Sequence, residues 1–123
     1  MTERTLVMLL LVGTGVLFWA LGRGMRTVRP NPLYGVRIGA TFADERVWRD
    51  ANRRSGDFLA WLGLGLSVST LAAWLIVPGM AGLLVVLGAM TAGTLWMSVD
   101  AVRYANARLA FYRALDADAS REG

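Results

Sequence analysis

Uncharged and charged positions fall into long separate blocks along this chain rather than alternating. Residues 5–22 and 58–99 contain no charged side chain, and the segments beside them carry all of the charges. The first block is long enough to cross a bilayer, because about 20 mostly apolar residues in a helix span its hydrocarbon core. The second block would measure about 63 Å as one helix, twice a core of about 30 Å, so it must fold back.

Val77-Pro78-Gly79 lies near the middle of the second block and supplies a stop for the helix. Proline lacks the backbone N–H that a helix interior needs, and glycine after it favours a turn. The block therefore divides into spans at 58–77 and 80–99. The pattern predicts an all-α membrane protein with three transmembrane helices, organised as one domain over residues 1–123.

The first apolar block has a second interpretation, as a cleavable signal peptide. It follows a single arginine closely, and Ala20-Leu21-Gly22 resembles a small-residue cleavage site. Two further spans follow it, and they leave no soluble domain to be exported. We therefore favour a retained first helix at 5–22.

The segment 23–56 between the first two spans predicts turns followed by an amphipathic helix. Prolines and glycines dominate its first half, whereas Thr41 and Asp44 resemble a capping box that starts a helix reaching about Ser55. Its apolar half includes Trp48, and its polar half pairs Glu45 with Arg49 and Arg46 with Asp50 at i,i+4 spacing. We expect this helix to lie on the cytoplasmic membrane surface with Trp48 toward the headgroups, and to run into the second span. In the tail, 100–123, helical spacing of apolar residues predicts helix to about Leu115.

Composition narrows the chemistry that this chain can perform. It has no cysteine and no histidine, so disulfides, thiolate or imidazole metal sites and histidine-activated nucleophiles are excluded. No charged residue interrupts a span, which argues against a proton-coupled transporter or a channel. We therefore expect a protein that is not an enzyme and that binds no metal or cofactor.

Thirteen basic residues, all arginine, determine the expected orientation and the expected partners. Twelve of them lie in 23–56 and in the tail, and only Arg4 lies on the other side. The positive-inside rule then places the N-terminus outside and the C-terminus in the cytoplasm. The arginine-rich loop lies next to lipid headgroups and has no recognised nucleic-acid fold or phosphate-binding glycine loop, so we expect the bilayer, and no nucleic acid, as its partner.

Small residues four apart mark faces where helices can approach closely. Contact within one chain, contact between copies and a substrate path all remain open for them. Asp57 and Asp100, at the cytoplasmic ends of two spans, are expected to be boundary charges paired with nearby arginines rather than proton relays. The small-residue pairs are Gly63/Ser67, Gly65/Ser69 and Ala89/Gly93.

The loop and the start of its helix carry an extended motif. Its residues are Asn31-Pro32-x-Tyr34-Gly35-x-Arg37 followed by Asp44-Glu45-x-x-Trp48-x-x-Ala51-Asn52-Arg53-x-x-Gly56. This motif resembles that of the SdpI family of small bacterial membrane proteins. The resemblance implies a protein of the bacterial cell membrane that protects its producer against a secreted antimicrobial peptide toxin and captures a cognate transcriptional repressor.

These observations leave two functions open. One is an immunity or signalling protein whose loop binds a peptide toxin or a cytoplasmic repressor, and the other is an accessory subunit of a larger membrane complex. The same loop residues can instead stabilise the fold, with Arg37 paired to Glu45 or Asp57 and Asn52 capping a backbone turn. The candidate partner-binding residues are Asn31, Tyr34, Arg37, Glu45, Trp48, Asn52 and Arg53.

Overall fold

The computed structural model describes residues 1–123 and contains four helices and no strand. Three of the helices are long and apolar enough to cross a membrane, which confirms the predicted three-span fold class. The central long helix packs along both of the others, and those two share a small cluster of buried side chains, Met8 and Leu11 with Leu83. The helices are α1 (Glu3–Gly24), α2 (Gly39–Ala43), α3 (Glu45–Ile76) and α4 (Ala81–Glu122).

Helix α3 joins the predicted amphipathic helix and the second span without a break. It begins after Asp44, whose carboxylate accepts a hydrogen bond from the backbone N–H of Arg46 at 2.8 Å and so caps the first turn. It ends before Val77, and the turn that follows contains Gly79 at φ +74°. The predicted continuity of this helix into the membrane is therefore confirmed.

The predicted helix start at Thr41 was wrong, because Thr41 lies inside the separate short helix α2. Its hydroxyl accepts a hydrogen bond from the Ile38 N–H at 3.0 Å and donates to the Val36 carbonyl at 2.7 Å. These bonds stabilise α2 rather than the first turn of α3. Asp44 separates the two helices because its backbone is extended, at φ −151° and ψ 126°.

Helix α4 continues through the tail to Glu122, so the predicted end near Leu115 was wrong. The tail packs along the extramembrane part of α3 as far as Asp116, and the helix continues beyond that point with exposed side chains. Arg46 on α3 reaches Asp116 on α4 at 2.8 Å, only just beyond the predicted end. Tertiary contacts of this kind extend a helix beyond the length that its own sequence supports.

Helices α1 and α3 meet along a seam of four glycines spaced seven residues apart. Gly15 faces Gly63 and Gly22 faces Gly56, so the two helices run antiparallel with their main chains in contact. A Cβ added at Gly63 would lie 2.6 Å from the Trp19 backbone nitrogen. Because lipid offers no hydrophobic drive for helices to associate, such close packing is what holds them together in a membrane. The seven-residue spacing of these glycines was not used in the prediction, which paired small residues at four-residue spacing.

The small-residue pairs predicted from the sequence take different positions. The Ser67 hydroxyl donates to the Val12 carbonyl at 3.1 Å, so the Gly63/Ser67 pair makes a contact within the chain. Gly93 faces the Leu62 side chain on α3. Gly65, in contrast, has open space around its α-carbon.

At the N-terminal end of the bundle, Arg4 of α1 binds the C-terminal end of α3. Its guanidinium donates to the carbonyl of Gly79 at 2.8 Å and also to those of Trp74 and Val77. The last carbonyls of a helix lack intrahelical partners and carry partial negative charge, which a guanidinium offsets. Arg4 therefore joins the ends of two spans at the turn between α3 and α4.

Candidate functional site

The polar half of the molecule, residues 23–56 together with 100–122, contains every candidate site residue. Asn31 shapes the loop that leads out of α1. Its side-chain oxygen accepts hydrogen bonds from the N–H groups of Leu33 at 2.9 Å and Tyr34 at 2.7 Å. Its amide donates to the Arg29 carbonyl at 2.8 Å, which completes a turn of the Asx type.

Tyr34 fastens this loop to the end of the first membrane helix. Its phenol donates a hydrogen bond to the carbonyl of Leu21, near the C-terminus of α1. Burial raises the pKa of the Tyr34 phenol, so the hydroxyl stays protonated and keeps its role as a donor at neutral pH.

Trp48 and Asn52 form the buried centre of the polar half. The Trp48 ring is fully buried, and its indole N–H donates to the Val28 carbonyl at 2.8 Å. The Asn52 carboxamide accepts from the Val36 N–H at 2.7 Å and donates to the Trp48 carbonyl at 2.9 Å. Gly35, at φ +107°, passes so close to Asn52 that a Cβ there would collide with the carboxamide.

The expectation that Trp48 points toward the lipid headgroups was therefore wrong. The ring lies between the loop and α3, because a buried indole needs both apolar neighbours and an acceptor for its N–H, and the folded loop supplies both. The expectation that Asn52 binds a backbone turn is confirmed. Both side chains are buried within the fold, so neither is accessible to a soluble partner.

Three arginine–aspartate pairs connect the extramembrane parts of α3 and α4. Their shortest N–O separations lie between 2.8 and 3.0 Å. The predicted pairs within α3, Glu45 with Arg49 and Arg46 with Asp50, are not formed. Arg46 and Asp50 bind Asp116 and Arg108 on α4 instead, and Glu45 and Arg49 remain without an ionic partner. The pairs are Arg46–Asp116, Arg54–Asp100 and Asp50–Arg108.

Aromatic rings on α4 reinforce these pairs. The Arg46 guanidinium lies 4.3 Å from the centroid of the Tyr112 ring, and the Tyr112 hydroxyl donates to Asp50 at 2.6 Å. Arg54 lies 4.6 Å from the centroid of the Tyr104 ring. Each contact combines a charge with a ring face, which is favourable where water is partly excluded.

Apart from the boundary charge Asp100, the sequence pattern of residues 100–123 predicted a helical tail and not this α4 surface. Tyr104, Arg108 and Tyr112 follow one another at four-residue spacing and so lie on one face of the helix. The four-residue spacing could therefore have predicted that these side chains share a face. It could not have predicted which residues they bind, because their partner Asp50 on α3 is about sixty residues away in the chain.

Asp44 couples the cap of α3 to this ionic network. Arg46 donates side-chain hydrogen bonds to the Asp44 carboxylate at 2.8 and 3.1 Å while also binding Asp116. These bonds hold the pKa of the Asp44 carboxyl below its usual range and raise that of the Arg46 guanidinium. The carboxylate stays ionised, and its negative charge interacts favourably with the positive N-terminal end of the helix dipole.

Arg37, Glu45 and Arg53 are the three candidate residues that remain exposed. Glu45 and Arg53 lie eight residues apart on α3, on the same helix face as the exposed Arg49, and none of these three side chains forms an ion pair. Arg37 donates to the Pro32 carbonyl and pairs with neither acid proposed for it. We call this exposed set, Arg37, Glu45, Arg49 and Arg53, the charged face.

The boundary aspartates behave as expected from the sequence. Asp57 pairs with Arg26 at 3.3 Å, and Asp100 pairs with Arg54 at 3.0 Å. Both therefore act as paired charges where the apolar spans end. The seven candidate residues thus divide into one that shapes the loop (Asn31), three that hold the loop to the helices (Tyr34, Trp48, Asn52) and three that face solvent.

A family model described as the SdpI/YfhL protein family matches residues 27–98, which is more than half of the chain. The match begins in the loop after α1 and ends close to the end of the third apolar span. It therefore includes the Asn31 turn, the Trp48–Asn52 centre, the charged face and two spans. No curated protein and no solved structure matches the chain.

Proposed function

This chain belongs to the SdpI/YfhL protein family, and from that premise we propose that it is a non-enzymatic immunity or signalling protein of a bacterial cell membrane. In this proposal it protects the cell against an antimicrobial peptide toxin and binds a cytoplasmic regulator. The observation that carries the proposal is the family match over residues 27–98, which includes the loop as well as two spans. The role needs a binding surface and no catalytic group.

The charged face is the surface that we assign to the regulator. Its three arginines form no ion pairs, so an acidic partner can bind their guanidinium groups without breaking an existing ion pair. Arginine is favoured at binding interfaces because its planar head donates several hydrogen bonds and its stem adds apolar contact. Glu45 contributes the opposite charge at one end and so restricts how a partner can be oriented.

We further propose that the polar half lies in the cytoplasm and the N-terminus outside. The arginines of residues 23–56 and of the tail support this orientation. The natural absence of cysteine permits a direct test with the single-cysteine variants Thr2→Cys and Ser120→Cys. In intact spheroplasts a membrane-impermeant maleimide should label Cys at position 2 and not at position 120, and the reverse pattern would contradict the orientation.

Affinity capture from the native membrane tests the partner proposal. Wild type and Arg53→Glu are purified in mild detergent, and retained peptides and proteins are identified by mass spectrometry. We expect a small secreted peptide or a soluble repressor with wild type, and loss of the repressor with Arg53→Glu. Arg121→Glu makes the same charge change at the exposed end of α4 and should retain the partner.

An accessory subunit of a larger membrane complex is the alternative function. The observation that favours it is an open cavity of about 320 Å³ between α3 and α4, lined by Gly65, Ser69 and Ala89 among others. A helix of another subunit can approach closely at such small residues. Recovery of a stoichiometric set of membrane subunits, unaffected by Arg53→Glu and released by Gly65→Leu, would support this function and contradict the first.

A further inference from the structure

A cavity of about 340 Å³ lies between α1 and α3 where the apolar spans meet the polar half. Its size falls within the range of about 300–1,000 Å³ that is typical of small-molecule sites. One part of its wall is charged, with Arg23, Arg26 and Asp57, and the other is formed by apolar and aromatic side chains. No residue of this cavity belongs to the charged face or to the candidate site.

On both helices the cavity wall contains a tryptophan and a charged residue four positions apart, and the two pairs lie in the same order in space. On α1, Arg23 follows Trp19 by four residues, and on α3, Asp57 precedes Trp61 by four residues. Because the helices run antiparallel, the charged residues lie about 6 Å, slightly more than one helical turn, beyond the tryptophans in the same direction. Ala60 lines the wall between them, where α3 contacts Gly22 of α1 through its main chain.

The two indoles mark the level of the membrane interface. Trp61 is 73% exposed and Trp19 is 47% exposed, so both rings face the surroundings of the bundle rather than its core. Exposed tryptophans on spanning helices prefer the headgroup level, with the ring toward the acyl chains. The charged part of the cavity then lies among the phosphates, and Leu64 lies among the acyl chains.

The cavity wall carries two positive charges and only one negative charge. Arg26 pairs with Asp57 at 3.3 Å, and both side chains remain about two-fifths exposed. Arg23 forms neither an ion pair nor a side-chain hydrogen bond, so one guanidinium faces the cavity without a partner. An arginine in this state binds phosphate well, because its planar donors match the phosphate oxygens in pairs.

We propose that this cavity binds the phosphate headgroup of an anionic phospholipid. Arg23 donates to the phosphate oxygens, Arg26 adds attraction while bound to Asp57, and the indoles of Trp19 and Trp61 flank the glycerol region. The apolar side of the wall selects a lipid over a free phosphate ion, because it covers acyl chain that a free ion lacks. The inference requires only that the spans cross a bilayer and is independent of the proposed function.

Native mass spectrometry of the full chain released from nanodiscs tests the proposal. The nanodiscs contain equal amounts of phosphatidylglycerol and phosphatidylcholine, and the ratio of the two retained lipids is measured. Wild type should retain phosphatidylglycerol preferentially. Arg23→Gln should reduce that preference about fivefold, since a basic side chain near an anionic headgroup contributes about 1 kcal/mol. Because the Arg23 side chain forms no hydrogen bond or ion pair and is exposed, the variant should keep the wild-type circular dichroism spectrum.

Arg103→Gln is the matched control, because Arg103 is an exposed arginine on α4, just beyond the third span, and lies outside the cavity. It should change the lipid ratio less than twofold, because Arg103 does not line the cavity that retains the lipid after release from the nanodisc. Equal losses in the two variants would overturn the proposal in favour of a general charge effect, and so would a wild-type protein with no preference. Displacement of the retained lipid by millimolar inorganic phosphate would assign the site to a free anion instead.

Discussion

The membrane half of this protein (residues 5–22, 58–77 and 80–99) and its polar half are held together by different interactions. In the membrane half, α1 and α3 touch main chain to main chain at glycines, and no charged side chain is present. In the polar half, a buried tryptophan, a buried asparagine and three arginine–aspartate pairs connect the loop, α3 and α4. Helix α3 passes through both halves.

The difference follows from the solvent on each side. In water, burial of Trp48 removes apolar surface from solvent and stabilises the fold directly. In lipid, apolar side chains gain little by leaving the acyl chains, so helices are stabilised by close approach and dispersion contacts. Large side chains therefore build the core of the polar half, and the smallest residues build the main contact of the membrane half.

The largest expected effect comes from emptying the core of the polar half. Trp48→Ala should lower the free energy of unfolding by about 3–5 kcal/mol, because it leaves a cavity and an unpaired Val28 carbonyl. Trp96→Ala removes the same side chain from a position that is 57% exposed and should cost about 0.5 kcal/mol. Unfolding followed by circular dichroism in mixed micelles measures both, and equal costs would contradict the buried role of Trp48.

A smaller effect is expected from one methyl group in the membrane half. Gly63→Ala should destabilise the protein by about 1–3 kcal/mol, because the new Cβ meets the main chain of α1, which cannot yield as a side chain can. Gly65→Ala, two residues along the same helix, meets open space. It should be neutral or stabilise α3 by up to about 1 kcal/mol through helix propensity. The same micelle titration compares them, and a harmless Gly63→Ala would rule out the glycine seam.

The smallest effect concerns the ionic part of the polar half. Hydrogen bonds from Arg46 lower the pKa of Asp44 in the folded state, so their contribution to stability is complete above the unfolded value of about 3.9. That contribution is lost as the pH falls through the folded pKa. Asp44→Asn, which still caps a helix, should therefore lose less stability than wild type between pH 5 and pH 3.

Thermal melts at several pH values between these limits measure the difference. Asp118→Asn removes one negative charge near the exposed end of α4 and controls for the change in net charge. Identical acid dependence in wild type and Asp44→Asn would show that the Arg46 bonds do not stabilise the folded state.

The spans were predictable because each depends on nearby residues alone. A run without charges, a length near 20 residues and a Pro-Gly break identify a membrane helix wherever it packs. The pairings of Asp57 and Asp100 with arginine were predictable for a similar reason, since a charge at the end of a span needs a nearby counter-charge. The family motif located the loop but did not separate its structural side chains from its exposed ones.

Only the folded chain separates them. Trp48 and Arg53 both belong to the motif, yet Trp48 is fully buried and Arg53 is exposed. The difference arises because the loop returns over α3 and supplies the Val28 and Val36 backbone groups that Trp48 and Asn52 bind. Such partners lie sixteen to twenty residues away, beyond the reach of helical periodicity.

Hydropathy and the placement of charges along the chain specify the number of spans, the charges at their boundaries and the continuous helix that enters the second span, because each depends on residues that are close together in the sequence. Which glycines form the seam, which acid each arginine of the polar half binds and which arginines remain unpaired depend on how the helices pack. Folding places Gly63 opposite Gly15 and Asp116 beside Arg46, and it leaves Arg23 at a cavity whose one carboxylate already binds Arg26.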